Sequence, residues 1–306
     1  RRQRQMCIRD RIRASIRFKH FKKTYDENIL DIKGGLNDVV MNNSPIDIDK
    51  LIEGTNEILT ANRNSLQLFD MLHSMRQFDD LTYVHSVNVA LIASILGQWL
   101  KFSEKDIRIL TISGLLHDIG KIMIPNEILT KPGKLTVAEY NIMKQHVNFG
   151  YEKVKNQNID IRIKEACLLH HEKCDGTGYP FGLKSDHIPA VAKIIAIADV
   201  YDAMTSARVY RGALCPFEVI DTMYKDAFTK FEPEYILPFL KNVASSYINN
   251  DVRLSDGRIG KVVLINENAL SLPIVQCEDE FIDLSKTRGL TVSATVSYTH
   301  LRAHET

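Results

Sequence analysis

Apolar residues recur at helical intervals over roughly the first 250 positions and at strand intervals after them. Within 13–78, Leu51, Ile52, Ile58, Leu59, Leu66, Leu68, Phe69 and Leu72 fall at spacings that line one side of helices, and no glycine interrupts the chain between Thr55 and Leu96. This stretch predicts a helical lead-in that packs on the main body or on a second copy. An apolar run over 83–100 predicts the next helix. Ser103, with Asp106 three positions on, then offers a cap for a helix over 104–116. Pro125, Pro132 and Gly133 mark a loop, and further helices are predicted over 137–154 and 160–171. Gly176, Gly178, Pro180 and Gly182 require a loop over 172–187. Pro189 then suits the first turn of a helix reaching 206, and segments 217–228 and 233–247 complete a bundle.

After Asn250 the texture changes. Short runs at 252–254, 259–265, 273–277 and 281–284, with a Ser255-Asp256-Gly257 turn, predict strands. The expected organisation is therefore mainly α: a helical N-terminal segment over 13–78, a helical bundle over 79–250, and a small antiparallel β unit over 251–295.

Composition changes this picture little. Of 306 residues, 44% are hydrophobic and 25% charged, enough for one large domain and a smaller one. The formal net charge of +1 is held unevenly. Arg1, Arg2, Arg4, Arg9, Arg11 and Arg302, set against Asp10 and Glu305, lie in the two terminal segments, and without them the rest carries −3. No basic face for a nucleic-acid polymer follows from that balance. The terminal strings themselves, 1–12 and 296–306, resemble translated sequencing-adapter runs. They are expected to be artefacts, with the natural protein continuing upstream of residue 13, so Cys7, His300 and His304 enter no functional argument. The five cysteines, Cys7, Cys167, Cys174, Cys215 and Cys277, are odd in number and scattered, which argues against a disulfide framework and for a reducing compartment. No run of 18 apolar residues exists to span a membrane, so a cytoplasmic location is expected.

The chemistry lies in donors spread over several predicted helices: His85, His117-Asp118, His146, His170-His171 and Asp199. Imidazole and carboxylate together suit Fe, Mn or Zn better than Ca or Mg alone. Helices converging on one inward cluster are a known way for a bundle to hold metal. A single ion needs three or four of these side chains. All seven suit two ions sharing a bridging carboxylate, for which Asp118 is the natural candidate. Neighbours on a regular helix differ by about 100° of rotation, but at a helix end the two histidines of the 170–171 pair can splay toward different ions. Asp199, inside Ile194-Ile195-Ala196-Ile197-Ala198, is costly on an apolar helix face unless paired or metal-bound. Lys121, just past the 117–118 pair, could reach a phosphate oxygen and stabilise charge during in-line attack by water.

Taken together, His-Asp-Ile-Gly-Lys at 117–121, Ile124-Pro125, Lys131-Pro132-Gly133, His146, His170-His171-Glu172 with Asp175-Gly176-Thr177-Gly178-Tyr179-Pro180, Ala198-Asp199-Val200-Tyr201-Asp202-Ala203 and Arg208-Val209-Tyr210-Arg211 resemble the HD-GYP family of HD-domain metal-dependent phosphohydrolases. The resemblance spans roughly 79–213 and implies an HD-domain-like helical bundle that hydrolyses cyclic di-GMP, through metal-activated hydroxide, to linear pGpG, GMP or both. It implies that His85, His117, Asp118, His146, His170, His171 and Asp199 are metal ligands. It places Lys121 with Asp118 in the catalytic role. Asp202, Arg208 and Arg211 fall where family members hold guanine and phosphate groups, with Gly178, Tyr179 and Pro180 as a lip beside the substrate. Two divalent ions are expected, Fe or Mn ahead of Zn. Leu81 stands where some members carry a glutamate for a third ion, and only Asp79 and Asp80 are acidic nearby. Ala207 and Val209 replace the Asp and Pro often seen beside Arg208, and Met204 replaces a common Leu. The expected partner is cyclic di-GMP, with a homodimer as a further option. Two other readings stay open: another cyclic dinucleotide such as cyclic GMP-AMP, or a module that responds to a dinucleotide without cleaving it.

Overall fold

The computed structural model describes residues 16–62, 68–69, 71–72, 81–206 and 214–295. Both terminal strings, Arg208 and Arg211 lie outside these described residues.

The lead-in begins with α1 (Ile16–Asn42), whose Phe18, Phe21, Tyr25, Ile32, Leu36, Val39 and Val40 are buried at intervals of three, four and seven. Helix α2 (Ile48–Ala61) packs along it and starts at Asp47, whose side chain accepts from the Lys50 backbone N–H at 3.2 Å. Leu68, Phe69, Met71 and Leu72 are also buried. The Phe69 ring meets Trp99, Tyr201 and Phe239 at centroid distances of 5.8, 5.5 and 6.3 Å. The lead-in thus shares a core with the bundle.

At the centre runs α3 (Leu81–Trp99), with Val87, Val89, Ala90, Leu91, Ile92, Ala93, Ile95 and Leu96 all shielded from solvent. A helix apolar on every side must be surrounded, and α1, α4 (Glu104–Leu116), α9 (Ala190–Thr205) and α11 (Pro233–Ser245) all pack on it. Ser103 caps α4 as expected: its Oγ accepts from the Asp106 backbone N–H and donates to the Asp106 carboxylate. Past α4 come a 3-10 turn (Ile119–Met123) and the single turn α5 (Asn126–Leu129).

The helix expected over 137–154 is two helices, α6 (Val137–Met143) and α7 (His146–Val154). Helix α6 opens on a reciprocal capping box between Thr136 and Glu139. It ends in a tightened turn in which the Gln145 N–H bonds the Ile142 carbonyl. That break starts α7 at His146, something apolar periodicity does not report. Helix α8 (Ile161–Leu169) follows, then the long loop, α9 after Pro189, α10 (Pro216–Asp226) and α11. Pro189 caps the start of α9, beside the first turn where it was expected, and α10 and α11 each open on a proline.

The chain closes in a five-stranded antiparallel sheet, β1 (Asp251–Leu254), β2 (Ile259–Leu264), β3 (Ile274–Cys277), β4 (Glu280–Asp283) and β5 (Val292–Thr295), in the order β4-β3-β2-β1-β5. Val252, Leu254, Val262, Val275, Ile282 and Val292 point to the buried side, and β5 packs on α10. The sequence pattern missed β5. Its four residues carry one strong apolar side chain, and it pairs with β1 across about forty residues, Val252 opposite Thr295. Among the described residues no helix is long and apolar enough to cross a membrane, and Cys167, Cys174, Cys215 and Cys277 are free thiols.

Candidate metal centre

The candidate ligands sit where helices end or begin. His117 terminates α4, Asp118 opens the 3-10 turn, His146 opens α7, and His170 terminates α8 with His171 just past it. His85 projects from the second turn of α3 and Asp199 from the middle of α9. All but His85 and His171 are buried, and those two are partly so.

Hydrogen bonds fix the ring tautomers. His117 Nδ1 lies 2.8 Å from the Gly114 carbonyl, His146 Nδ1 2.7 Å from that of Met143, and His170 Nδ1 3.0 Å from that of Ala166. A carbonyl can only accept, so each Nδ1 carries the proton and each Nε2 presents a lone pair to the interior. Those lone pairs converge. His146 Nε2 and His170 Nε2 stand 3.4 Å apart, and His117 Nε2 and Asp118 Oδ1 are buried without a hydrogen bond. His146 Nε2 approaches Asp118 Oδ1 at 3.3 Å, but only as an ion-pair contact. Acceptors crowded together without donors repel one another unless a cation lies between them. The donor set therefore fits a divalent metal.

Two ligand sets share one carboxylate. His85, His117 and Asp118 form one, and Asp118, His146, His170 and His171 the other, with the ligand atoms of each set within 4.8 Å of one another. Asp118 Oδ2 faces His117 Nε2 at 3.3 Å and His85 Nε2 at 3.5 Å, whereas Oδ1 faces His146 and His170 at 3.3 and 3.7 Å. Asp199 spans the same divide, with Oδ1 3.0 Å from His85 Nε2 and Oδ2 3.8 Å from His171 Nδ1. The histidines of the 170–171 pair face different carboxylates, His170 toward Asp118 and His171 toward Asp199, but both fall in one ligand set rather than serving different ions as expected.

Burial works against the charge on Asp118, but the Lys121 ammonium outweighs it and holds the carboxyl well below its usual range. Asp199 is lowered in the same way by its contact with His85. Burial lowers His146 and His170, and lowers His171 to about 3, so these rings are neutral and ready to ligate near pH 7. His85 differs. Burial disfavours its charge too, yet Asp199 and Asp202 raise it to about 9. A cation held at its Nε2 would have to displace that proton. The Lys121 ammonium pairs with Asp118 Oδ2 and remains partly exposed, at the edge of the cluster.

The loop after α8 folds back over these ligands. Tyr179 stacks on His171 with centroids 4.7 Å apart and planes at 28°, and Pro180 follows through a cis peptide. Gly178 lies so close to the preceding strand of chain that a Cβ there would come 2.5 Å from Glu172 Cα and 2.6 Å from the His171 carbonyl oxygen. Gly176 adopts φ +83°, the left-handed region. The Glu172 carboxylate anchors the turn: Oε1 accepts from the Phe181 and Gly182 backbone N–H groups at 2.7 and 3.1 Å, and Oε2 from that of Leu183 at 2.9 Å. Replacing Glu172 by alanine strands three donors. It is expected to destabilise the protein by about 1–3 kcal/mol and to open the loop to proteolysis near Gly182. A thermal melt and a timed digestion check this; wild-type resistance to cleavage contradicts it.

Asp202 departs from the expectation that it faces guanine. It is buried behind His85, with Oδ2 2.8 Å from His85 Nδ1 and Oδ1 accepting from Asn88 Nδ2 at 3.0 Å. It occupies this place because Asp199 and Asp202 are three apart on α9, on one face but a turn apart in depth. Glu172 and Asn88 were given no role from sequence. Asn88, a lone amide in the apolar run of α3, carried a signal; the span from Glu172 to Leu183 did not.

Residues 54–235 match the HD domain family, more than half of the chain, and the chain belongs to that family. It is 36% identical over 203 residues to a cyclic di-GMP phosphodiesterase of Pseudomonas aeruginosa, covering 66% of this chain and 49% of that protein. It is 36% identical over 197 residues to a cyclic di-GMP phosphodiesterase response regulator of Xanthomonas campestris, covering 64% and 52%. It is also 30% identical over 216 residues to a 3'3'-cGAMP-specific phosphodiesterase of Vibrio cholerae, covering 69% and 40%. These matches agree with the HD-GYP branch of the family that the motifs resemble. The chain spans about half the length of the first two relatives.

Proposed function

We propose that this chain is the catalytic part of a metal-dependent phosphodiesterase that opens cyclic di-GMP to linear pGpG, GMP or both. The observation that carries this reading is the meeting of lone pairs from His117, His146 and His170 around the two oxygens of Asp118, with Lys121 at the edge. His85, His117, His146, His170, His171, Asp118 and Asp199 would hold two divalent ions, Fe or Mn ahead of Zn, with Asp118 between them. Ions held there supply Lewis acidity to a phosphoryl oxygen and acidify water. The chain's own contribution is positional. The helix-end carbonyls fix the tautomers, Glu172 and Gly178 hold Tyr179 over His171, and the Lys121 ammonium stands ready to pair with a phosphate oxygen as charge builds there. Arg208 and Arg211 are proposed, on the family resemblance alone, to grip phosphate or guanine.

Relatedness to a 3'3'-cGAMP-specific enzyme supports a second substrate, cyclic GMP-AMP. Protein purified without oxygen and loaded with Mn(II) or Fe(II), then offered both dinucleotides with product identification, separates the two. Turnover is expected to vanish on chelation and return with added metal. Activity that survives chelation, or full activity in His117→Ala, overturns the reading.

A further inference from the structure

A line of hydrogen bonds leads from the N-terminal helix to the candidate metal centre. Tyr25 on α1 donates its hydroxyl to Asn88 Oδ1 at 2.5 Å, and Asn88 Nδ2 donates to Asp202 Oδ1 at 3.0 Å. Asp202 Oδ2 in turn accepts from His85 Nδ1 at 2.8 Å, and His85 Nε2 faces Asp199 and Asp118. Each direction is forced. A carboxylate can only accept, so the amide NH2 must face Asp202 and the amide oxygen must face the tyrosine, which leaves the hydroxyl as donor. Tyr25, Asn88 and Asp202 are all buried, so none of these groups can exchange its partner for water without opening the core. Ser206 Oγ also lies 3.4 Å from Asp202 Oδ1. Tyr25 lies outside the residues that match the family, 54–235.

We infer that Tyr25 and Asn88 are positioning residues for His85. Through Asp202 they lock its ring with Nδ1 protonated and Nε2 aimed at the metal, so that the seating of α1 sets how well the centre binds metal. Partners behind a ligating histidine fix its tautomer and orientation, and here the last of them sits on a separate helix of the lead-in. A displacement of α1 along α3 would break the Tyr25–Asn88 bond, together with the longer Tyr83–Asn37 bond between the same helices. The relay rests on the metal-centre reading proposed above and requires no particular substrate.

Cobalt(II) titration of metal-free protein tests it, because affinity and ligand-field bands are read without turnover. Tyr25→Phe keeps the ring and removes one hydroxyl. It is expected to weaken cobalt binding about tenfold, the lower end of the roughly 10–100-fold typical of such partners, and to shift the bands. Asn88→Leu is expected to lose more, and the double variant no more than Asn88→Leu alone. Asn28→Ala removes a different bond that seats α1, Asn28 Nδ2 to Thr55 Oγ1 at 2.9 Å, and is expected to melt earlier yet bind cobalt as the wild type does. Wild-type affinity and bands in Tyr25→Phe overturn the relay, as do losses that add in the double variant or an equal loss in Asn28→Ala. A wild-type protein that takes up no cobalt overturns the metal centre itself, and the relay with it. Failure to cleave any dinucleotide touches only the proposed substrate.

Discussion

Asp118→Ala is expected to lose metal and turnover together while keeping the fold. Loss of a partner behind a ligand costs about 10–100-fold in metal affinity. Asp118 serves both ligand sets directly, one oxygen to each, so its removal should exceed the upper end of that range and leave no turnover above background. The fold should survive because burial keeps His146, His170 and His171 neutral, leaving no uncompensated charge among them. Lys121 loses its partner but is partly exposed and can turn to water. Elemental analysis of anaerobically purified protein, beside a thermal melt, checks both halves. Stoichiometric metal in a folded Asp118→Ala variant contradicts the assignment.

The second large effect is steric. A Cβ at Gly120 would lie 1.9 Å from the His146 carbonyl oxygen and 2.5 Å from the Gly150 backbone nitrogen. Both are backbone atoms, so no rotamer change relieves the clash, and α7 must move away from the 3-10 turn that carries Gly120. Gly120→Ala is expected to cost about 1–3 kcal/mol or more, as overpacking does. It should also draw His146 out of the cluster and weaken metal uptake even where the protein still folds. A lower melting temperature together with substoichiometric metal is the expected pair of results. Wild-type melting and wild-type metal content would show that the two backbones separate easily, against the packing described. Glycine in His-Asp-Ile-Gly-Lys is thus a matter of contact with the next ligand's helix.

What could be read from sequence follows from the range of each interaction. Adjacent His-Asp and His-His pairs, and an aspartate inside the apolar run of α9, are local signals for five residues, and the structure gathers these with the lone His85 and His146 into one cluster. The helices carrying them show in apolar periodicity, except where α6 ends at Met143 and α7 begins at His146. There the periodicity runs on while the backbone tightens, because the hydrogen bonds of the turn decide the boundary. The tautomers were legible only in part. A histidine at a helix end lies near the last-turn carbonyls, but which ring nitrogen meets one needs coordinates. Asp202 was placed by family resemblance at the substrate, whereas its partners are His85, on α3, and Asn88. Tyr25 stands 63 positions from Asn88, and no periodicity or motif joins residues so far apart. Strand β5 escaped for the same reason, since its identity as a strand comes from β1.

Asp118 and Asp199 each turn one oxygen to either half of the cluster. Neither half then owns its charge. If two ions bind as proposed, an ion on one side would draw down the negative charge on two carboxylates that the other side also uses, and would at the same time fix the rotamers that a second ion needs. The first effect would oppose a second ion and the second would favour it, so the two positions would form one linked equilibrium, and different metals placed in them would report on each other's presence.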